Sequence, residues 1–68
     1  MTFGENLKRI RKEMKLTQQE MANRIGISQS YFADIEHNRK NISLAVVLRI
    51  AQGLGISVKK LINDDIRQ

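Results

Sequence analysis

The sequence predicts an all-α domain built from five short helices. Apolar residues recur three and four positions apart along most of the chain, the spacing of one helix face. No stretch alternates apolar and polar residues as a half-buried strand would. Thr2, Thr17, Ser28, Ser43 and Ser57 each precede such a run and supply a side-chain oxygen that can cap it.

The first helix is expected over residues 3–14, with Phe3, Leu7, Ile10 and Met14 on one face. Its other face carries Lys8, Arg9, Lys12 and Lys15. That face is either solvated or, in part, close to a phosphate backbone, and chain position does not separate the two. Thr17 opens the second helix with Glu20 three residues on, a capping-box spacing. Met21 and Ile25 face inward, and Ala22 sits where two helix backbones must approach. Gly26 follows at a tight reversal that needs positive φ. Ile27 fills the turn. The third helix runs from Ser28 to near Asn38, with Phe32, Ile35 and part of Tyr31 inward. Asn38 is a candidate left-handed C-cap. Ser43 opens the fourth, whose Leu44, Val47, Leu48, Ala51 and Leu54 form a wide apolar stripe ended by Gly55. A short fifth helix covers Val58 to about Asn63, with Leu61 in the core, and the polar tail after it is expected to fray.

At 68 residues the chain holds one domain, residues 1–68, with a modest core that oligomerisation would help. There is no cysteine, which excludes disulfides and thiol catalysis, and a single histidine does not make a typical zinc site. No metal or cofactor is expected. No apolar run approaches the roughly 20 residues of a membrane span and no signal peptide is visible, so the expected compartment is cytoplasmic. The formal charge of +5 favours a polyanionic partner. Aromatic side chains are limited to Phe3, Tyr31 and Phe32, too few for a base-stacking platform, so double-stranded DNA fits better than a single strand. An enzyme is a poor reading. His37 is the sole candidate neutral-pH base, Asp34 and Glu36 point to different sides of a helix, and Asp64 and Asp65 lie in a loose tail. No pocket for a small-molecule effector is legible.

Residues 18–37 therefore carry the function. Two short helices meeting at one glycine leave Gln29, Ser30, Ala33 and His37 on the outer face of the second, a shape that enters a DNA major groove. Gln29 can donate and accept at once, matching the adenine N6/N7 edge, and Ser30 can address a base or a phosphate. Ala33 can meet a thymine methyl. Asp34 costs affinity near phosphates unless it accepts from cytosine N4 or pairs with a cation of its own chain. Gln18 lies at a helix N-terminus where a phosphate can dock. Arg39 and Lys40 are loop cations just beyond the reading helix.

The stretch 16–36, Leu-Thr-Gln-Gln-Glu-Met-Ala-Asn-Arg-Ile-Gly-Ile-Ser-Gln-Ser-Tyr-Phe-Ala-Asp-Ile-Glu, resembles the helix-turn-helix of the Cro/C1-type (XRE-like) transcriptional regulators. That family includes phage repressors and the controller proteins of restriction–modification systems. The similarity extends back to Leu7–Arg11 and forward through Asn41–Leu44 to Leu54–Ser57. It implies a compact five-helix lambda-repressor-like domain with the motif at helices 2 and 3. It implies base contacts from Gln29, Ser30 and Asp34, with Tyr31 near the DNA, and phosphate contacts from Gln18, Arg39, Asn41 and Ser43, with Gln18 also bracing Gln29. Ala33, where relatives often carry a longer side chain, is added as a base contact and Lys40 as a phosphate contact from the residues themselves. Arg11 and Glu36 match a family ion pair joining the first and third helices. Neither an N-terminal arm nor a C-terminal domain is expected, so a homodimer would use this same domain through Ile56, Val58, Ile62 and Ile66. The implied function is a sequence-specific DNA-binding regulator acting on a near-palindromic operator. An antitoxin or protein-interaction subunit of the same fold is the alternative.

Overall fold

Every one of the first four helices starts on a hydroxyl cap. In the computed structural model, which describes residues 2–62, α1 spans Phe3–Glu13, α2 Gln18–Ile25, α3 Gln29–Glu36, α4 Leu44–Leu54 and α5 Val58–Ile62. Among the described residues there is no strand, and no helix is long and apolar enough to cross a membrane. Thr2, Thr17, Ser28 and Ser43 hold extended backbone and accept from the N–H three residues on.

Two of these caps are reciprocal. The Thr17 N–H donates to Glu20 Oε1 at 2.8 Å, and the Glu20 N–H donates to Thr17 Oγ1 at 3.1 Å. Thr2 and Glu5 repeat the arrangement at 2.8 and 3.1 Å. The threonine N–H first, and its hydroxyl second, hold both glutamate carboxyls below their ordinary value. A depressed folded value means the stabilisation is complete above the unfolded value of about 4.3. It is lost as pH falls through the lower folded value. Glu5→Gln/Glu20→Gln keeps the box geometry without the titration. Thermal unfolding from about pH 6 to about pH 3 should therefore decline less steeply in that variant. Equal slopes would remove the capping carboxylates from the acid response.

The core draws on all five helices. Leu7 and Ile10 of α1, Met21 and Ala22 of α2, Phe32 and Ile35 of α3, Ile50 of α4 and Leu61 of α5 are buried. α2 packs on α3 and α4, α1 on α3 and α5, and α5 also on α4. Two contacts are close enough to exclude a side chain. A Cβ on Gly4 would stand 2.5 Å from the carbonyl oxygens of both Ile35 and Glu36, so α1 touches the end of α3 backbone to backbone. A Cβ on Gly53 would lie 2.9 Å from the Arg24 carbonyl oxygen, at the α2–α4 contact.

Two expectations need adjustment. α3 stops at Glu36 with His37 as its cap, and Asn38 follows in the left-handed region at φ 59°. The inward arc of α4 centres on Val47, Ile50, Ala51 and Leu54, whereas Leu44 and Leu48 are 69% and 43% exposed. Val47, Ile50, Ala51 and Leu54 hold the three-and-four spacing of one helix face, while Leu44, in the first turn, and Leu48 lie at its edge. Ile66 lies outside the described residues.

One buried polar group serves the fold. Asn6 is fully buried beside Leu7 and donates through Nδ2 to the backbone carbonyls of Lys60 and Leu61, while its Oδ1 accepts from Arg9. The carbonyl end of α5 is thereby anchored to α1, as a buried amide requires.

Candidate nucleic-acid interface

The two helices of the motif are locked at their junction from three sides. Gly26 takes φ 86° and its N–H donates to the Ala22 carbonyl at 2.8 Å, with the Ile27 N–H on the same oxygen at 3.0 Å. Arg49 reaches across from α4 and donates through Nε to the Ile25 carbonyl and through Nη2 to the Gly26 carbonyl, both at 3.2 Å. Phe32 and Ile35, both without exposure, pin α3 from beneath. What remains outward on α3 is the polar edge. Gln29 and Ser30 are exposed, Ala33 and Asp34 half-exposed, and Tyr31 is half-buried against the core.

Behind this edge runs a chain of polar contacts that starts in the interior. Glu36 is buried, its side chain 1% exposed. It accepts from Arg11 Nε at 2.7 Å and, more loosely, from Nη2 at 3.4 Å. Arg11 Nη1 also donates to the Leu16 carbonyl at 3.0 Å, which fixes the α1–α2 corner. The second Glu36 oxygen accepts from Gln18 Nε2 at 2.9 Å. Gln18 Oε1 in turn faces Gln29 Nε2 at 3.5 Å. Four side chains on three helices thus connect the interior ion pair to the first residue of α3.

The loop after α3 supplies cations and a helix start. Arg39 Nη1 stands 3.9 Å from Asp34 Oδ1, and the Arg39 N–H donates to the Asp34 carbonyl at 2.8 Å. Asp34 thus has a cation of its own chain beside it, which offsets an anion on this edge. Lys40 and Asn41 are exposed. Ser43 Oγ accepts from the Val46 N–H at 3.3 Å, so its hydroxyl proton stays available at the N-terminus of α4. The N-termini of α2, α3 and α4 each carry donors without intrahelical partners, a feature suited to anions.

The wider comparison agrees with this geometry. A family model described as a helix-turn-helix domain matches residues 4–64. The control protein C.MunI of Mycoplasma sp is 38% identical over 63 residues, covering 91% of this chain and 85% of that protein. The chain belongs to the Cro/C1-type helix-turn-helix family. Its members are regulators and not enzymes. The immunity repressor protein of Bacillus phage phi105 is 45% identical over 65 residues, and this chain spans 45% of its length. Among solved structures, the restriction–modification controller protein C.AhdI from Aeromonas hydrophila matches with a TM-score of 0.81 and 32% identity, over 87% of this chain and 89% of that one. SinR, a master regulator for biofilm formation solved in complex with DNA, matches with a TM-score of 0.80 and 30% identity, over 91% of this chain and 100% of that one.

Two residues of this Cro/C1-type domain that shape the site carry little sign in the sequence. Arg49 clamps the glycine turn, yet nothing in its spacing links it to Ile25. Asn38 offers more than a left-handed φ: its Oδ1 accepts from the Gly4 N–H at 3.1 Å and its Nδ2 donates to Thr2 Oγ1 at 2.9 Å, tying α1 to the end of α3. Asn6, also missed, did carry a signal that could have found it: it falls three residues after Phe3 and four before Ile10, on an inward-facing row.

Proposed function

We propose that this chain is a sequence-specific double-stranded DNA-binding regulator that acts as a homodimer on a near-palindromic operator. The carrying observation is the exposed start of α3, where Gln29 is held through Gln18 to a buried ion pair. Gln29 presents an amide to a base edge, with Ser30, Ala33 and Asp34 following along the groove and Tyr31 at its margin. Gln18, Arg39, Lys40, Asn41 and Ser43 surround that edge and meet phosphates. The naming of one structural relative as a DNA complex, and of others as a repressor and as controller proteins, supports the same reading.

Dimerisation uses the α4–α5 side. Ile56, Val58 and Ile62 are half-buried and pack on the core with part of their surface outward. Leu44 and Leu48 lie one turn apart on α4, in a row that continues toward Gly55 and Ile56. Those two leucines enlarge the apolar surface that a second copy would cover. Two copies related by a two-fold axis place their α3 helices in successive major grooves, about 34 Å apart.

Selection of binding sites from random duplexes, followed by sizing of the complex, tests this reading. The expected product is a near-palindrome bound by two chains. Absence of enrichment, or one chain on an asymmetric site, would overturn it. On the selected operator, Gln29→Ala should lower specific affinity roughly tenfold and relax preference at one position per half-site. An equal loss on random DNA would remove Gln29 as a base reader.

A further inference from the structure

We propose that Glu36 is a positioning residue for base reading: acting through Gln18, it sets which end of the Gln29 amide faces the groove. The inference rests on the reading of Gln29 as the base-contacting residue.

A glutamine amide has a donor end and an acceptor end, and in water the two exchange freely by rotation. Here that freedom is removed in sequence. Glu36 is held by Arg11, which is itself fixed on the Leu16 carbonyl. A carboxylate so paired accepts and does not donate. Gln18 therefore turns its NH2 toward Glu36, at 2.9 Å, and its carbonyl oxygen is left outward. That oxygen selects the NH2 of Gln29, which points back at it. Gln29 is left with one N–H and its carbonyl oxygen. This donor–acceptor pair matches the N7 acceptor and N6 donor of adenine. With the opposite polarity, the Gln29 oxygen would be turned toward Gln18 and two N–H donors would face the groove, matching the N7 and O6 acceptors of guanine. A side chain buried behind the reading edge thus biases it toward A·T, without touching DNA.

Replacing the whole ion pair by apolar residues removes the acceptor while avoiding a lone buried charge. The test uses the full chain carrying Arg11→Met/Glu36→Leu, beside wild type and Gln29→Ala. Each is titrated against the selected operator and against duplexes in which the A·T pair read by Gln29 is changed to G·C. The double variant should lose about two- to tenfold of the A·T preference, the scale of one freed side chain. Its affinity for random DNA and its salt slope should stay at wild-type values. Full preference in the double variant, with preference lost in Gln29→Ala, would overturn the positioning role alone. Preference retained in both would overturn the reading of Gln29 and this inference with it. In the free protein, the side-chain NH2 proton signals of Gln18 should be spread further apart than those of Gln52, which is exposed on α4. That spread should collapse in the double variant. Persistence of the spread without Glu36 would also overturn the proposal.

Discussion

Glu36→Ala should lower the unfolding free energy by about 3–5 kcal/mol, because it leaves a largely buried guanidinium without its partner. The Arg11 side chain is 12% exposed and that of Glu36 1%, so water does not replace the lost carboxylate. Gln18 loses its acceptor in the same step. For 68 residues the whole stability is on the order of 3–10 kcal/mol, so this one change removes much of it. Urea denaturation should show a lower midpoint with an unchanged slope. The paired replacement Arg11→Met/Glu36→Leu should recover most of the loss, since neither charge is left alone. Asp34→Asn is the internal contrast. Its partner Arg39 is 3.9 Å away and 69% exposed, and screening leaves such a pair worth about 0.5 kcal/mol or less. A loss below about 1 kcal/mol in Glu36→Ala would place the pair in the same class as Asp34–Arg39 and contradict its burial.

That contrast also marks how far the sequence could be read. The motif was legible because its signals are local. Thr17 with Glu20, Gly26 and Ser28 each fix a backbone conformation within a few residues, and the structure places all of them as helix boundaries. Local chemistry was silent at the end of α1, where Lys15 and not a glycine takes the left-handed position at φ 59°. The link between Arg11 and Glu36 came from family resemblance, since a separation of 25 residues carries no spacing signal. The clamps from Asn38 and Arg49 are of the same kind. They depend on which helix ends meet in space, and that is settled by packing of the whole core. The buried face of α4 is narrower than its apolar content for a different reason. Leu44 and Leu48 are apolar and share a row, but that row runs along the edge of the face centred on Val47, Ile50, Ala51 and Leu54. Ile50, fully buried, was the omitted centre of that face.

Gly4→Ala should destabilise the domain by about 2–3 kcal/mol, against what helix propensity alone would give. Alanine in a helix interior is favoured over glycine by roughly 1 kcal/mol, and Gly4 lies inside α1. The added methyl would nevertheless stand 2.5 Å from two carbonyl oxygens, those of Ile35 and Glu36, and 2.8 Å from Asn38 Oδ1. A flexible side-chain tip could move aside. The two carbonyls are backbone atoms in the last turn of α3, so relief requires α1 to lift away from α3. Lifting it breaks the bond from the Gly4 N–H to Asn38 and draws Arg11, two turns further along α1, off Glu36. The clash therefore exceeds the propensity gain. Asn38→Ala separates the contributions: it removes the side-chain bonds and keeps the glycine, and should cost about 1 kcal/mol, in addition to the strain of a left-handed alanine. Denaturant midpoints of the two variants decide the matter. A neutral or stabilised Gly4→Ala would mean that α1 and α3 do not touch at this point. If they do touch, the variant should also bind the selected operator less tightly under conditions where it remains folded, because the ion pair that anchors Gln18 sits on the same two helices.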